Sequence, residues 1–108
     1  MTLAELGAIA EKVRSKNAGP FWLTVDIFCG NRDAYRRVVE GLNTRQVATA
    51  CGVELQLVKR FDIETLNVVK FSLPRPKVQG AANDRDMHGA PWAALIAEIE
   101  LKPEGHQR

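Results

Sequence analysis

No stretch of this 108-residue chain approaches the roughly 20 consecutive apolar residues that a membrane-spanning helix needs, which argues against a transmembrane segment and a membrane partner. The opening Met1-Thr2-Leu3-Ala4-Glu5-Leu6 lacks the basic start and unbroken apolar core of a secretory leader, so a cytoplasmic location is expected. Cysteine is scarce: Cys29 and Cys51 are the only two, with no CxxC spacing. Without export features they read as reduced thiols that pack as small apolar side chains. A nucleophilic thiol needs a nearby base, and His88 and His106 lie far from both cysteines in sequence. Surplus charge is also small. A net charge of +2 does not supply the broad basic surface of a nucleic-acid binder, so no nucleic acid is expected, although local positive charge could still draw an anionic substrate into a cleft. There is no internal repeat and no low-complexity run.

The composition that is present, 45% hydrophobic and 26% charged, is that of an ordinary globular domain. Its length suits one core, with about two-thirds of the unfolded surface buried on folding. Thr2 and Glu5 have capping-box spacing, and Leu3, Leu6, Ile9, Ala10 and Val13 recur at helical intervals, which predicts an amphipathic helix over residues 2 to 16. After Gly19-Pro20, the β-branched and aromatic density of residues 21 to 28 predicts a strand. One face would carry Phe21, Leu23, Val25 and Ile27, the other Trp22, Thr24, Asp26 and Phe28. Ala34, Tyr35, Val38, Val39 and Leu42 mark a second helix over residues 32 to 40, with Gly41 suited to its C-terminal cap. Asn43 and Gln46 open a short third helix that ends before Gly52. Strands are predicted at residues 55 to 61 and 66 to 73, with a turn over 62 to 65, and an irregular loop at residues 74 to 91. A last strand is expected from the alternation of Ala97, Ile99 and Leu101 with Glu98 and Glu100. The expected fold is α+β: an antiparallel or mixed sheet of about four strands with about three helices packed mainly on one face. Residues 1 to 102 would form the domain and residues 103 to 108 a flexible tail.

The chemistry concentrates where the first helix would end. Arg14, Ser15, Lys16 and Asn17 precede Gly19-Pro20, and two cations, a hydroxyl and an amide on a turn can converge on a carboxylate or phosphate. A plain helix stop accounts for the same residues, because Lys and Arg favour the negative end of a helix dipole. Asp26 is the acid in an otherwise apolar strand. It reads as half of an ion pair with Arg14 or Lys16 rather than as a base, because a neighbouring cation favours its charged form. Arg75, Asp84, Asp86 and His88, from the long loop, complete the candidate substrate-binding set.

Asp84, Asp86 and His88 offer three metal ligands within five residues, but their spacing matches no standard motif and turn-forming polar residues account for it. Neither a metal nor a cofactor is assigned. Residues 46 to 60 imitate the turn of a helix-turn-helix, yet Leu55, Leu57 and Val58 alternate as in a buried strand rather than on a base-reading helix. Trp22 and Phe28, unless both are covered by helices, leave an apolar patch suited to a partner or to a homo-oligomer.

Arg14-Ser15-Lys16-Asn17-Ala18-Gly19-Pro20-Phe21, followed by Thr24-Val25-Asp26-Ile27 and later by Pro74-Arg75-Pro76 and Asp84-Arg85-Asp86-Met87-His88-Gly89-Ala90, resembles a small domain of unknown function. That domain is fused to, or encoded beside, the large AtuA-like proteins of acyclic terpene utilisation. The resemblance spans roughly residues 3 to 101, and departs at Pro91-Trp92, where the family is Gln-rich. It implies an accessory subunit or detached C-terminal domain that acts with a large AtuA-like partner on branched acyl-CoA or organic acids. The partner would carry most of the chemistry, and a lyase or hydratase is the reaction class implied. The alternative is a non-catalytic assembly domain in which the same charges make structural ion pairs.

Overall fold

The computed structural model describes residues 4–75 and 89–101. In chain order these form β1 (Ala4–Glu5), α1 (Leu6–Ile9), β2 (Lys12–Ala18), β3 (Trp22–Phe28), α2 (Arg32–Gly41), α3 (Thr44–Cys51), β4 (Lys59–Ile63), β5 (Val68–Pro74), α4 (Gly89–Ala97) and β6 (Glu100–Leu101). Short 3-10 turns at Leu55–Leu57 and Glu64–Leu66 flank β4. The main sheet is antiparallel with strand order β2-β3-β5-β4, and β1 and β6 form a separate two-stranded ladder. The fold is therefore α+β, as the sequence predicts.

Alternation along the two central strands decides which face is covered. Leu23, Val25 and Ile27 of β3 and Val69, Phe71 and Leu73 of β5 are fully buried on one face. Against them pack Leu6 of α1, Val38 of α2, Val47 and Ala48 of α3, and Trp92 and Ile96 of α4. Burying each of these large side chains contributes roughly 1.5–3 kcal/mol, so this inner face organises the domain. All four helices feed one core, and the described residues place no helix over the opposite face. No helix among them is long and apolar enough to cross a membrane.

The helix predicted over residues 2 to 16 is replaced by three pieces. Only Leu6–Ile9 is helical, and Ala10 is already extended. Glu11 donates its backbone N–H to the Phe28 carbonyl at 2.9 Å, and β2 then pairs with β3 from Lys12↔Phe28 through Ala18↔Trp22. Pairing along a whole strand outweighs the weak local preference for helix, since most helical stability in a protein comes from packing rather than propensity. Glu5 makes no capping bond and Thr2 lies outside the described residues.

Smaller departures have similar causes. Gly41 is the last residue of α2, and Leu42 ends the helix by donating to the Val38 carbonyl. The strand predicted over 55 to 61 starts at Lys59, and the turn predicted over 62 to 65 falls at Glu64–Leu66, with Asn67 in the left-handed region. Within the loop predicted over 74 to 91, α4 begins at Gly89 and runs on through Ala97, which the sequence places in a strand. Trp92 and Ile96, one helical turn apart, are both buried, and that packing selects helix over the alternation read further on. The last strand is confined to Glu100–Leu101. Asn43 and Gln46 open α3 as the sequence predicts, and they do so as a capping box, exchanging hydrogen bonds of 2.8 and 2.9 Å.

Candidate anion-binding face

The β2–β3 hairpin sets out the candidate site. Gly19, with φ +77°, makes a turn that other residues rarely adopt, and Phe21 at its tip is 74% exposed. Because β2 is a strand rather than a helix end, its successive side chains point to opposite faces. Ser15 turns to the inner face, where it is buried and engaged, and Asn17 follows it on that side near the exposed hairpin end. Arg14 and Lys16 lie on the other face, exposed.

Register places their neighbours. Arg14 stands opposite Asp26, which stands opposite Lys70, which stands opposite Phe61. One step along, Lys16, Thr24, Ser72 and Lys59 form a second row. Lys12 continues the cationic series on β2, so the open face carries Lys12, Arg14, Lys16, Lys59 and Lys70 against the single acid Asp26. The surplus on this face exceeds the +2 of the entire chain.

Asp26 is half-buried between Arg14 and Lys70, but no ion pair within 4 Å joins it to either one among the described residues. The ion pair expected from the sequence is therefore present as cross-strand proximity and not as contact. Arg14 and Lys16, two residues apart on one strand, stand about 6.7 Å apart at their backbones, within reach of one carboxylate or phosphate. A guanidinium can hold such an anion by two parallel hydrogen bonds while the ammonium supplies a compact charge.

Arg75 is brought to the same hairpin. Its backbone N–H donates to the Phe21 carbonyl at 2.8 Å, and Nη1 reaches the Pro20 carbonyl at 3.5 Å, a long contact that holds the side chain only weakly. Asp84, Asp86 and His88 lie outside the described residues. Among the described residues no three His, Cys, Asp or Glu side chains gather where a metal could bind.

Cys29 and Cys51 are free and buried, as the sequence predicts. Burial disfavours the thiolate and pushes both thiols up to about 11, far from a nucleophile poised at neutral pH. The helix-turn-helix imitation also resolves: after α3 and Gly52 comes a single 3-10 turn and then β4, with no second helix to enter a groove.

Sequence reasoning passed over Lys12, Lys59 and Lys70, whose signal is the alternation of Lys70 with buried Val69 and Phe71, and of Lys12, Arg14 and Lys16 with Val13 and Ser15. It also passed over the structural role of Arg60. That guanidinium reaches the inner side, donating to the Leu42 carbonyl at 2.6 Å and the Val39 carbonyl at 3.1 Å, and pairing with Asp62 at 2.8 Å. It also lies 5.8 Å from the centroid of the Phe71 ring. Arg60 thus fastens β4 to the C-terminal end of α2, where unpaired carbonyls attract a cation.

The profile of a family described as a domain of unknown function (DUF4387) matches residues 6–100. No curated protein and no solved structure matches the chain.

Proposed function

The chain belongs to the family of the domain of unknown function DUF4387, and from that premise we propose that it is an accessory domain presenting a cationic sheet face to an anionic organic ligand at an interface with a larger protein. The observation that carries this reading is the outward projection of Arg14 and Lys16 from β2, side by side, on a face that no described helix covers. Arg75, held at the hairpin, stands at the margin of the same region. The resemblance of the Arg14 to Phe21 segment to domains accompanying AtuA-like proteins supplies the partner class, and with it branched acyl-CoA or organic acids as the ligand. A carboxylate or the phosphates of an acyl-CoA suit a guanidinium and an ammonium that stand close without an acid bound to them.

In this reading the partner supplies the reacting groups, for a lyase or hydratase type of reaction. This domain orients the anionic end of the substrate. Asp26, between Arg14 and Lys70, limits the local positive charge and aligns the cations across the strands. Mixing the purified chain with the large AtuA-like protein of the same source and sizing the mixture by light scattering tests the proposal. A complex of fixed stoichiometry is the expected result, and two species that remain separate would refute it.

A further inference from the structure

The open face carries a second feature that anion binding does not use. Phe28, Val68 and Ile63 lie in one cross-strand row over β3, β5 and β4, and Phe61 stands two residues along β4 from Ile63 on the same face. Phe61 is 47% exposed, and Lys59 and Lys70 flank it, the first along β4 and the second directly opposite. Val68 is buried and Phe28 and Ile63 are half-buried, so the row forms an apolar floor beside which Phe61 stands exposed, and an exposed aromatic on such a floor marks a site of association.

We infer that this half of the face, from Phe28 to Phe61, is a docking surface for an acidic protein surface of the larger partner, an inference that rests on the accessory-domain reading above. Charge selects the occupant. A second copy of the chain, packed face to face, would bring the same five cations against one another with only Asp26 on each side to offset them, and like-charge juxtaposition is costly. A partner with carboxylates around an apolar hollow meets both requirements: the hollow takes Phe61 and the carboxylates meet Lys59 and Lys70. The two halves of the face then have separate tasks. The β4–β5 half docks, and the β2 half, with Arg14 and Lys16, is left at the edge of the contact, where a ligand can reach it.

Hydroxyl-radical footprinting of the chain, alone and mixed with the large AtuA-like protein, reads the surface directly. Phe61 should lose most of its oxidation in the complex, and half-buried Phe28 should show a smaller loss. The double variant K59E/K70E, confirmed as folded by circular dichroism, should bind at least ten-fold more weakly. In the wild-type pair, association should weaken as salt rises, as expected of complementary charge. A complex that leaves Phe61 oxidised as in the free chain would overturn the docking surface while leaving the accessory role intact. Failure to form any complex would remove the accessory role itself. A dimer of the isolated chain that protects Phe61 would replace the acidic partner with a second copy and overturn the inference.

Discussion

Arg14 and Asp26 stand directly opposite one another on β2 and β3, yet no ion pair within 4 Å links their side chains. A surface pair of this kind would contribute at most about 1 kcal/mol, so stability gives little reason for the arrangement. Its consequence is positional. Asp26 sits between Arg14 and Lys70 across the strands, and among the described residues it takes up none of the Arg14 guanidinium donors in an ion pair.

Arg60 is the cation whose removal should unsettle the fold. Arg60→Ala deletes its bonds to the Leu42 and Val39 carbonyls and leaves Asp62 without its partner. A loss of about 2–3 kcal/mol in urea unfolding is expected from hydrogen bonds to a charged group. A change below about 0.5 kcal/mol would mean that the contacts to α2 are not what holds β4.

Gly30 combines a positive φ of +92° with crowding. A Cβ there would stand 2.9 Å from Glu11 Oε1 and 3.1 Å from Glu11 Cβ. Gly30→Ala should therefore cost about 2 kcal/mol, visible as a lowered melting temperature. Gly19→Ala provides the contrast, because its φ of +77° is strained but nothing lies within 4 Å of the added atom, so its cost should be the smaller.

Asn43→Ala removes one half of the α3 capping box, whose bond from the Gln46 backbone N–H is 2.8 Å long. The expected loss is about 1 kcal/mol, measured by chemical unfolding.

The buried thiols make stability depend on alkaline pH. Each rises from 9.0 to about 11 on folding, so the folded state holds protons that the unfolded state releases. The stabilisation is fully present below pH 9 and is lost as the pH climbs from about 9 to about 11. Unfolding free energy should fall across that window, and replacing both Cys29 and Cys51 with Ala should flatten the fall. In the native protein at neutral pH, neither thiol should react rapidly with a disulfide reagent.

Much of the fold could be read from the sequence because several local signals agree with the tertiary arrangement. Leu23, Val25 and Ile27 alternate with polar neighbours as a half-covered strand must, and all three are fully buried. Asn43, Gln46 and Gly52 mark both ends of α3. The first 18 residues were misleading because Leu6, Ile9, Ala10 and Val13 fit a helical period, while the information that makes β2 a strand lies in β3. The candidate site inherited that error. Residues 14 to 17, read as converging on one turn, are divided by the strand, with Arg14 and Lys16 outside and Ser15 inside. Lys70 and Lys59 could not be joined to them from the sequence, because register across four strands assembles the face.

Turnover of a branched acyl-CoA by the mixture of this chain and the large AtuA-like protein, with wild type compared against the double variant R14A/K16A, shows whether Arg14 and Lys16 hold the substrate. Both side chains are exposed, so the variant should melt within about 0.5 kcal/mol of wild type and still associate. Its turnover should be abolished. Unchanged turnover by a folded, associated variant would contradict the shared anionic site.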